Sequence, residues 1–159
     1  MKYHLGLGSN LGRTKRNLDK AVSLLNSKGI EIRKMSSIYK TEPVGRSDQP
    51  WFINQAVEVE SGLSPWELLK TLKGIEKDMG REVSVTYGSR LIDLDILLAE
   101  DTVIRTEELT IPHPRLAERN FVLRPLAEIA PDTIHPVLKR TIRELLRCSK
   151  DRAQVEMIR

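Results

Sequence analysis

The stretch Arg90-Leu91-Ile92-Asp93-Leu94-Asp95-Ile96-Leu97-Leu98 constrains the fold more than any other segment of the sequence. Apolar and acidic residues alternate in it, which is the pattern of a β-strand with one face turned to a core. Asp93 and Asp95 would share one face of this strand. The opposite face would be filled by four apolar side chains, those of Ile92, Leu94, Ile96 and Leu98. A strand of this kind requires neighbouring strands and a covering helix, and the sequence upstream supplies both.

Three upstream segments have the pattern of extended chain, Tyr3–Leu7, Ile30–Tyr39 and Trp51–Glu60. In the third segment the side chains separate by a period of two, as they do in a strand. One set holds Trp51, Ile53 and Val57, and the other holds Phe52, Asn54 and Ala56. We therefore expect this strand to present a polar and aromatic face beside an apolar one.

Two helices are predicted between these strands. The first covers Leu18–Leu25, where apolar residues recur at helical spacing before Gly29. The second begins at Ser64, because a serine followed three residues later by Glu67 is a capping box, and it ends at Gly80. The order strand-helix-strand, repeated, indicates an α+β fold, a ferredoxin-like α-β-α sandwich with a mainly antiparallel sheet.

The part of the chain that follows the acidic strand is interrupted by prolines, which predict short segments there. These prolines are Pro112, Pro114, Pro125, Pro131 and Pro136. A last helix is expected around Ile142–Leu146. With no linker of biased composition and no repeat, residues 1–159 are predicted to form a single domain.

Composition limits the classes of protein that need consideration. The chain has 159 residues and a net charge of +4, and this excess lies in residues 139–159, which hold seven Lys or Arg and three Asp or Glu. A solvated basic helix explains that segment better than a nucleic-acid surface does. No apolar run is longer than Ile96–Ala99, so a membrane span is not expected. Cys148 is the single cysteine, which favours a cytoplasmic protein.

Asp93 and Asp95 are candidate metal ligands. On one face of a strand their Cα atoms would lie about 6.5–7 Å apart. Two carboxylates so close repel each other, and a hard divalent cation relieves that repulsion. Mg²⁺ binds through one or two protein carboxylates and completes its shell with water and substrate phosphates. An exposed half-strand with solvated aspartates is the alternative.

Cationic and hydrogen-bonding residues near this strand would suit a polyphosphate. Arg81 and Arg90 flank the preceding loop, and Arg119 follows the proline-rich turn; a guanidinium pairs with two phosphate oxygens at once. Taken alone, each of them is explained by a surface arginine, and a role in phosphate binding depends on their clustering. His113 lies between two prolines, which would hold it rigidly for a hydrogen bond to phosphate, although a turn histidine without a role fits as well.

Phe52 and Asn54 would stand side by side on one strand face. An aromatic ring next to an amide suits a flat heterocycle, stacked on the ring and read at its edge. A core phenylalanine beside a turn-capping asparagine is the alternative. The segment Gly6–Gly12 lacks the dinucleotide-binding pattern, since Leu11 takes the place of its third glycine, and no phosphate-binding loop of the Gly-Lys-Ser type occurs. A nucleotide would have to bind in another way.

Several motifs, in order along the chain, carry a resemblance to a known family. They are Leu7–Gly12 (LGSNLG), Ser36–Pro43 (SSIYKTEP), Asp48–Pro50 (DQP), Asn54, Arg90–Leu97 (RLIDLDIL) and Pro112–Leu116 (PHPRL). Together they resemble the 6-hydroxymethyl-7,8-dihydropterin pyrophosphokinases of folate biosynthesis, over about residues 3–132.

The resemblance implies an enzyme, a diphosphokinase of the ferredoxin-like fold. Such an enzyme transfers pyrophosphate from ATP to the hydroxymethyl oxygen of the reduced pterin and releases AMP. Its partners would be small molecules, ATP and pterin, and neither nucleic acid nor membrane. A monomer is slightly favoured. A catalytically idle relative that binds pterin or nucleotide, and a small RNA-binding module, are the alternatives.

The resemblance also implies roles for individual residues. Two Mg²⁺ ions would be held by Asp93 and Asp95, and Arg81 and Arg90 would steady the transferred group. The pterin would be bound by Thr41, Val44, Phe52, Asn54 and Phe121. The ATP site would be lined by Glu76, Ile96, Thr110, His113 and Arg119. The loop 82–87 is one residue shorter than is usual in the family and lacks an internal arginine, so a slower closing step is expected.

Overall fold

The structure is a computed structural model and describes residues 1–42, 50–80 and 91–158. Its strands are β1 (Lys2–Ser9), β2 (Glu31–Met35), β3 (Tyr39–Thr41), β4 (Phe52–Glu60), β5 (Asp93–Ala99), β6 (Ile104–Arg105), β7 (Thr110–Ile111) and β8 (Val155–Met157). Its helices are α1 (Thr14–Ser27), α2 (Pro65–Asp78), α3 (Asn120–Ile129) and α4 (Ile142–Cys148), with a short 3₁₀ turn at Leu116–Glu118.

The main sheet has the strand order β5-β1-β4-β3-β8, and β2 pairs with β4 beside β3. All of these pairs are antiparallel, which confirms the predicted mainly antiparallel sheet. Strands β1 and β4 form the centre, where Leu5 lies opposite Val57. Among the described strands, the acidic strand β5 is at one edge of the sheet, and β8 is at the other.

Helices cover both faces of this sheet, so the structure is the predicted α-β-α sandwich. One core cluster joins α1 and α2 to the sheet through residues such as Leu18, Leu68 and Val57. The second cluster joins α3 and α4 to the opposite face, where Ala56 is buried. The period-two pattern of β4 is thereby confirmed, because neighbouring residues of that strand enter different cores.

The helix α2 begins as its sequence predicts. The Ser64 hydroxyl accepts a hydrogen bond from the Glu67 backbone nitrogen at 3.2 Å, and a Glu67 carboxylate oxygen accepts one from the Ser64 nitrogen at 2.8 Å. Leu68, Leu72 and Ile75 form the buried stripe of the helix. The capping box thus fixes where α2 begins and which face it turns to the sheet.

The prediction for Leu98 was wrong. Its side chain belongs to the α3 core, not to the core shared with Leu94 and Ile96. The pairing of β1 with β5 shifts register between His4 and Leu5, so one extra residue of β5 is accommodated there. A bulge of this kind reverses the alternation of side chains beyond it, which places Leu98 opposite His4.

Two further elements differ from the predictions. The proline-rich region contains a ten-residue helix, α3, with Pro125 inside it. Proline removes one helical hydrogen bond, but the helix persists because Leu123, Leu126 and Ile129 are buried against the sheet. The predicted strand Ile30–Tyr39 is divided into β2 and β3, which pair with different halves of β4.

Candidate active site

A cavity of about 290 Å³ lies between the sheet and α3. It is bounded by the side of the sheet that carries the acidic residues, by the segment after β7, and by the beginning of α3. Eight residues predicted for the site line it: Thr41, Phe52, Asn54, Asp93, Asp95, His113, Arg119 and Phe121. Residues distant in sequence and assigned separately to metal, phosphate and ring binding therefore share one cavity.

The floor of the cavity next to the acidic residues is formed by glycines of β1. Gly8 is paired with Asp93, and Gly6 with Asp95. A Cβ atom at Gly8 would lie 3.0 Å from Asn54 Oδ1, closer than most real Cβ contacts, so the buried amide would have to shift to make room for it. Because β1 presents no side chains here, the space beside the two carboxylates stays open.

Asp93 and Asp95 are half-buried and lie on the cavity face of β5, while Leu94 between them is buried in the opposite core. Two carboxylates bordering open space are suitable ligands for Mg²⁺, which prefers oxygen. Among residues 1–42, 50–80 and 91–158 no group of three or more His, Cys, Asp or Glu is arranged to hold a metal ion. An ion here would therefore complete its shell with water or substrate oxygens.

His113 is held by the backbone on both sides. Its nitrogen donates to the Leu97 carbonyl at 2.9 Å, and its Nδ1 accepts from the Arg115 nitrogen at 3.1 Å. Burial lowers the pKa of His113, and the positive charges of Arg119 and Arg115 lower it further. The negative charge of Asp93 raises this pKa but does not reverse the shift. The imidazole is therefore neutral at pH 7, with its proton on Nε2 and available as a donor.

Arg119 and Phe121 form the wall of the cavity at the beginning of α3. The Arg119 guanidinium carbon lies 5.5 Å from the centre of the Phe121 ring, a cation–π arrangement. Arg119 is the N-cap residue of α3 but makes no side-chain capping hydrogen bond. Its guanidinium therefore belongs to the cavity and not to the helix end.

The opposite wall contains the aromatic and amide residues predicted to share a face. Asn54 is buried, and its Nδ2 donates to the Thr41 hydroxyl at 2.9 Å. Phe52 is paired with Thr41 across β3 and β4. The Asn54 amide, the Thr41 hydroxyl and the Phe52 ring thus lie together on one side of the cavity. Phe121 also lines the cavity.

Three residues predicted for the ATP site do not line this cavity. Glu76 is buried in α2, where its carboxylate accepts from the Leu94 nitrogen at 2.8 Å. Ile96 is buried in the α1–α2 core. Thr110, in β7, donates from its hydroxyl to the Thr106 carbonyl at 3.0 Å. Their roles in ATP binding stay predictions.

Other predicted residues lie outside the part of the chain that the structure describes. These are Val44 for the pterin and Arg81 and Arg90 for the transferred group. The shortened loop 82–87 also lies outside the described residues. The expected slower closing step therefore also stays a prediction.

Sequence reasoning missed some residues of the cavity, chiefly Gly6 and Gly8 on its floor and Pro125 in α3. A signal for the glycines was present, because glycine inside a strand marks a close approach of another group. The alternation of Gly6 and Gly8 with buried Leu5 and Leu7 placed both on one face. For Pro125 there was no comparable signal, since the helix that carries it was not predicted.

The fold and the cavity place the chain in the class of α+β proteins that bind a small ligand against one face of an antiparallel sheet. A sequence model of one family matches residues 4–131, described as 7,8-dihydro-6-hydroxymethylpterin-pyrophosphokinase. The chain belongs to this family.

Relatives from three organisms match most of the chain. The 2-amino-4-hydroxy-6-hydroxymethyldihydropteridine pyrophosphokinase of Bacillus subtilis is 49% identical over 127 residues, 79% of this chain and 76% of that protein. The protein of the same name from Aquifex aeolicus is 41% identical, over 89% of this chain and 88% of its own length. The folic acid synthesis protein fol1 of Schizosaccharomyces pombe is 43% identical over 90% of this chain, which spans only 20% of that longer protein.

Solved structures agree on the fold. The Plasmodium falciparum HPPK-DHPS crystal structure with pteroate superimposes with a TM-score of 0.75 at 20% identity, covering 92% of this chain and 42% of that one. The neighbouring structures thus share the ferredoxin-like architecture. No helix of the residues placed in the structure is both long and apolar enough to cross a membrane.

Proposed function

We propose that this protein is an ATP-dependent pyrophosphokinase that acts on 6-hydroxymethyl-7,8-dihydropterin. The observation that carries the proposal is the shared cavity, where the Asp93–Asp95 pair meets an aromatic and amide wall. A phosphate-handling group and a heterocycle-binding group within one space are what transfer between a nucleotide and a ring alcohol requires. Membership of the family and the names of its relatives support the same reaction.

The pterin would lie between Phe52 and Phe121. Both rings border the cavity, and stacking on flat rings is favourable without demanding a particular substituent. Asn54 would then read the edge of the heterocycle. Its hydrogen bond to Thr41 fixes the amide plane, so that the ring meets a preoriented acceptor and donor.

The triphosphate would lie toward β5, Arg119 and His113. Arg119 supplies a permanent positive charge, and His113 supplies a neutral Nε2–H donor to a phosphate oxygen. Asp93 and Asp95 would hold Mg²⁺, two ions in the proposal, which when bound neutralises phosphate charge and acidifies the attacking alcohol. Arg81, Arg90 and the ATP-site residues Glu76, Ile96 and Thr110 complete the proposed set.

The reaction needs no protein nucleophile. The hydroxymethyl oxygen of the pterin forms a bond to the β-phosphorus of ATP, and the bond from that phosphorus to the α–β bridging oxygen breaks. The hydroxyl proton leaves to solvent, AMP departs, and the β- and γ-phosphates remain on the pterin. Catalysis of such a displacement rests on alignment and charge stabilisation, which is what the residues around the cavity supply.

The alternatives raised by the sequence are less well supported. An RNA-binding module of this fold would display aromatic residues along its sheet strands, whereas the two phenylalanines here, one in β4 and one in α3, line a single cavity. A catalytically idle relative that only binds pterin would not need two carboxylates, Asp93 and Asp95, beside the pterin-binding residues. The proposal further takes residues 1–159 as one domain that acts as a monomer in the cytoplasm.

Identification of the nucleotide product tests the proposal. The protein is incubated with Mg-ATP and 6-hydroxymethyl-7,8-dihydropterin, and the nucleotides are separated by ion-exchange chromatography. AMP formation that depends on the pterin is expected. ADP would indicate ordinary phosphorylation, and binding of pterin without turnover would indicate the idle relative; either result would refute the proposed reaction.

A further inference from the structure

The C-terminal segment, residues 149–157, contacts helix α3, which forms one wall of the cavity. Asp151 lies outside the family match, yet its Oδ2 accepts a hydrogen bond of 2.7 Å from the Asn120 nitrogen, 31 residues away. The Asn120 side chain returns a hydrogen bond from Nδ2 to the Asp151 carbonyl at 3.2 Å. Because Arg119 does not cap the helix, Asp151 supplies a capping acceptor to α3, and a carboxylate there also favours the helix dipole.

The same segment contacts the opposite wall. Strand β8 pairs with β3, with Val155 opposite Thr41. Just before it, the Gln154 nitrogen donates to a Glu42 carboxylate oxygen at 2.9 Å. Thr41 and Glu42 both line the cavity. The segment thus touches the strand wall that holds the Asn54 amide in place.

Within the segment, Asp151 joins these two sets of contacts. Its second carboxylate oxygen, Oδ1, accepts from the Ala153 nitrogen at 2.9 Å, and its own nitrogen donates to the Ser149 hydroxyl at 3.2 Å. Beyond it, the Val155 carbonyl accepts from Arg124 Nη1 of α3 at 3.2 Å. One side chain therefore fixes both the beginning of α3 and the turn that leads into β8.

We infer that Asp151 is a positioning residue for the pterin, acting through Asn120 on Phe121 and through β8 on Thr41. This inference rests on the proposed function, because it assigns Phe121 and Thr41 to the pterin. The Phe121 ring has two side-chain torsions, so its place in the cavity follows the backbone of the first turn of α3. Arg119 has a longer side chain that can adjust, so loss of the cap affects pterin binding more than ATP binding.

Three variants test the inference. Asp151→Ala removes the cap, whereas Asp151→Asn keeps an oxygen acceptor and loses the charge. Asp132→Ala is the matched control: it removes an exposed carboxylate of the same C-terminal region, bonded at 2.7 Å to Arg143, which does not line the cavity. KM for each substrate and kcat are measured, together with hydrogen exchange of the amides at the beginning of α3 by mass spectrometry.

The inference predicts that Asp151→Ala raises KM for the pterin about tenfold. Without the cap the first turn of α3 is less ordered, and the Phe121 ring is held less firmly in the cavity wall. KM for ATP should change less than about twofold, Asp151→Asn should recover most of the loss, and Asp132→Ala should match the parent protein. Exchange at Asn120–Val122 should accelerate only in Asp151→Ala.

Two results would overturn the inference. One is an Asp151→Ala protein whose pterin KM and exchange rates equal those of the parent. The other is an equal rise in both KM values with a general acceleration of exchange, which would mean that Asp151 only stabilises the fold. If the parent protein itself shows no turnover, the proposed function fails, and the exchange measurement still decides whether Asp151 orders the beginning of α3.

Discussion

The buried carboxylate of Glu76 in α2 accepts a hydrogen bond of 2.8 Å from the backbone nitrogen of Leu94, the residue between Asp93 and Asp95. Leu94 lies on β5, an edge strand among the described residues, so none of the described strands pairs with this nitrogen on the outer side of the sheet. Glu76 satisfies that donor and ties the acidic strand to α2. The position of both aspartates therefore depends on a residue of the opposite core.

Replacement of Glu76 should destabilise the protein. Glu76→Ala leaves the buried Leu94 N–H without its acceptor, which should reduce the free energy of unfolding by about 1–3 kcal/mol. Glu76→Gln retains an oxygen acceptor and should lose less. Lys73→Ala is the control: it removes only the 3.6 Å ion pair that the exposed Lys73 ammonium makes with Glu76, and its effect should stay below about 1 kcal/mol. Urea unfolding measures all three, and equal stability of the alanine and parent proteins would refute this role.

Asp95→Asn should abolish turnover and leave the fold intact. The amide is neutral and nearly isosteric, so it should weaken metal binding and lower kcat by roughly 100-fold or more. Asp101→Asn, in the exposed turn after β5, is the matched control and should retain the parent activity. Steady-state AMP formation and the thermal unfolding midpoint check both. Undiminished activity of Asp95→Asn would refute the metal assignment.

Phe121→Ala should raise the Kd for the pterin about tenfold, because stacking of a base on an aromatic ring contributes about 1–3 kcal/mol. Phe52→Tyr keeps the ring and should bind the pterin as the parent protein does. Trp66→Ala serves as the control, since Trp66 is an exposed aromatic residue of α2 that does not line the cavity. Titration calorimetry with the pterin measures these affinities. A Phe121→Ala protein with parent affinity would remove Phe121 from the site.

Helices α1, α2 and α4 and the two faces of the central strands were predictable from local sequence. The capping box at Ser64, the period-two pattern of β4 and the shared face of Asp93 and Asp95 each depend on residues within a few positions of one another. Patterns of this range are preserved when the chain folds, because they are set by backbone geometry. The same local reading also predicted Phe52 and Asn54 on one side of β4.

Features that depend on distant residues were not predictable. Helix α3 contains Pro125 and is capped by Asp151, 31 residues from Asn120, so its local sequence argues against a helix. The bulge that turns Leu98 to the other face exists only in the pairing of β5 with β1. Strand β8 is short and largely exposed, and it is defined by pairing with β3. In each case tertiary contacts outweigh local preference.

The stability of the protein should decrease below pH 6.5. Burial lowers the pKa of His4 beneath its ordinary value of 6.5, and the charges of Lys2 and Lys34 lower it further. Glu58, bonded to His4 at 3.0 Å, raises this pKa but does not reverse the shift. Above pH 6.5 both folded and unfolded states hold a neutral imidazole. As the pH falls, the unfolded chain binds the proton first, so the free energy of unfolding decreases.

His4→Gln keeps a donor for Glu58 but does not titrate, so it should reduce the slope of stability between pH 7.5 and pH 5.5. Part of the slope should remain, because burial also lowers the pKa of His113 and of His135. Urea unfolding at a series of pH values measures the slope. Identical slopes for the parent protein and His4→Gln would show that His4 carries a proton in the folded state as readily as in the unfolded one.

The most direct test of the account is the fate of the individual phosphates. The protein is given ATP labelled with ³²P at the β position or at the γ position, with 6-hydroxymethyl-7,8-dihydropterin, and the pterin product is isolated. Transfer of pyrophosphate predicts that both labels enter the pterin product to the same extent and that the AMP carries neither. Incorporation of the γ label alone, with the β label recovered in ADP, would contradict the account.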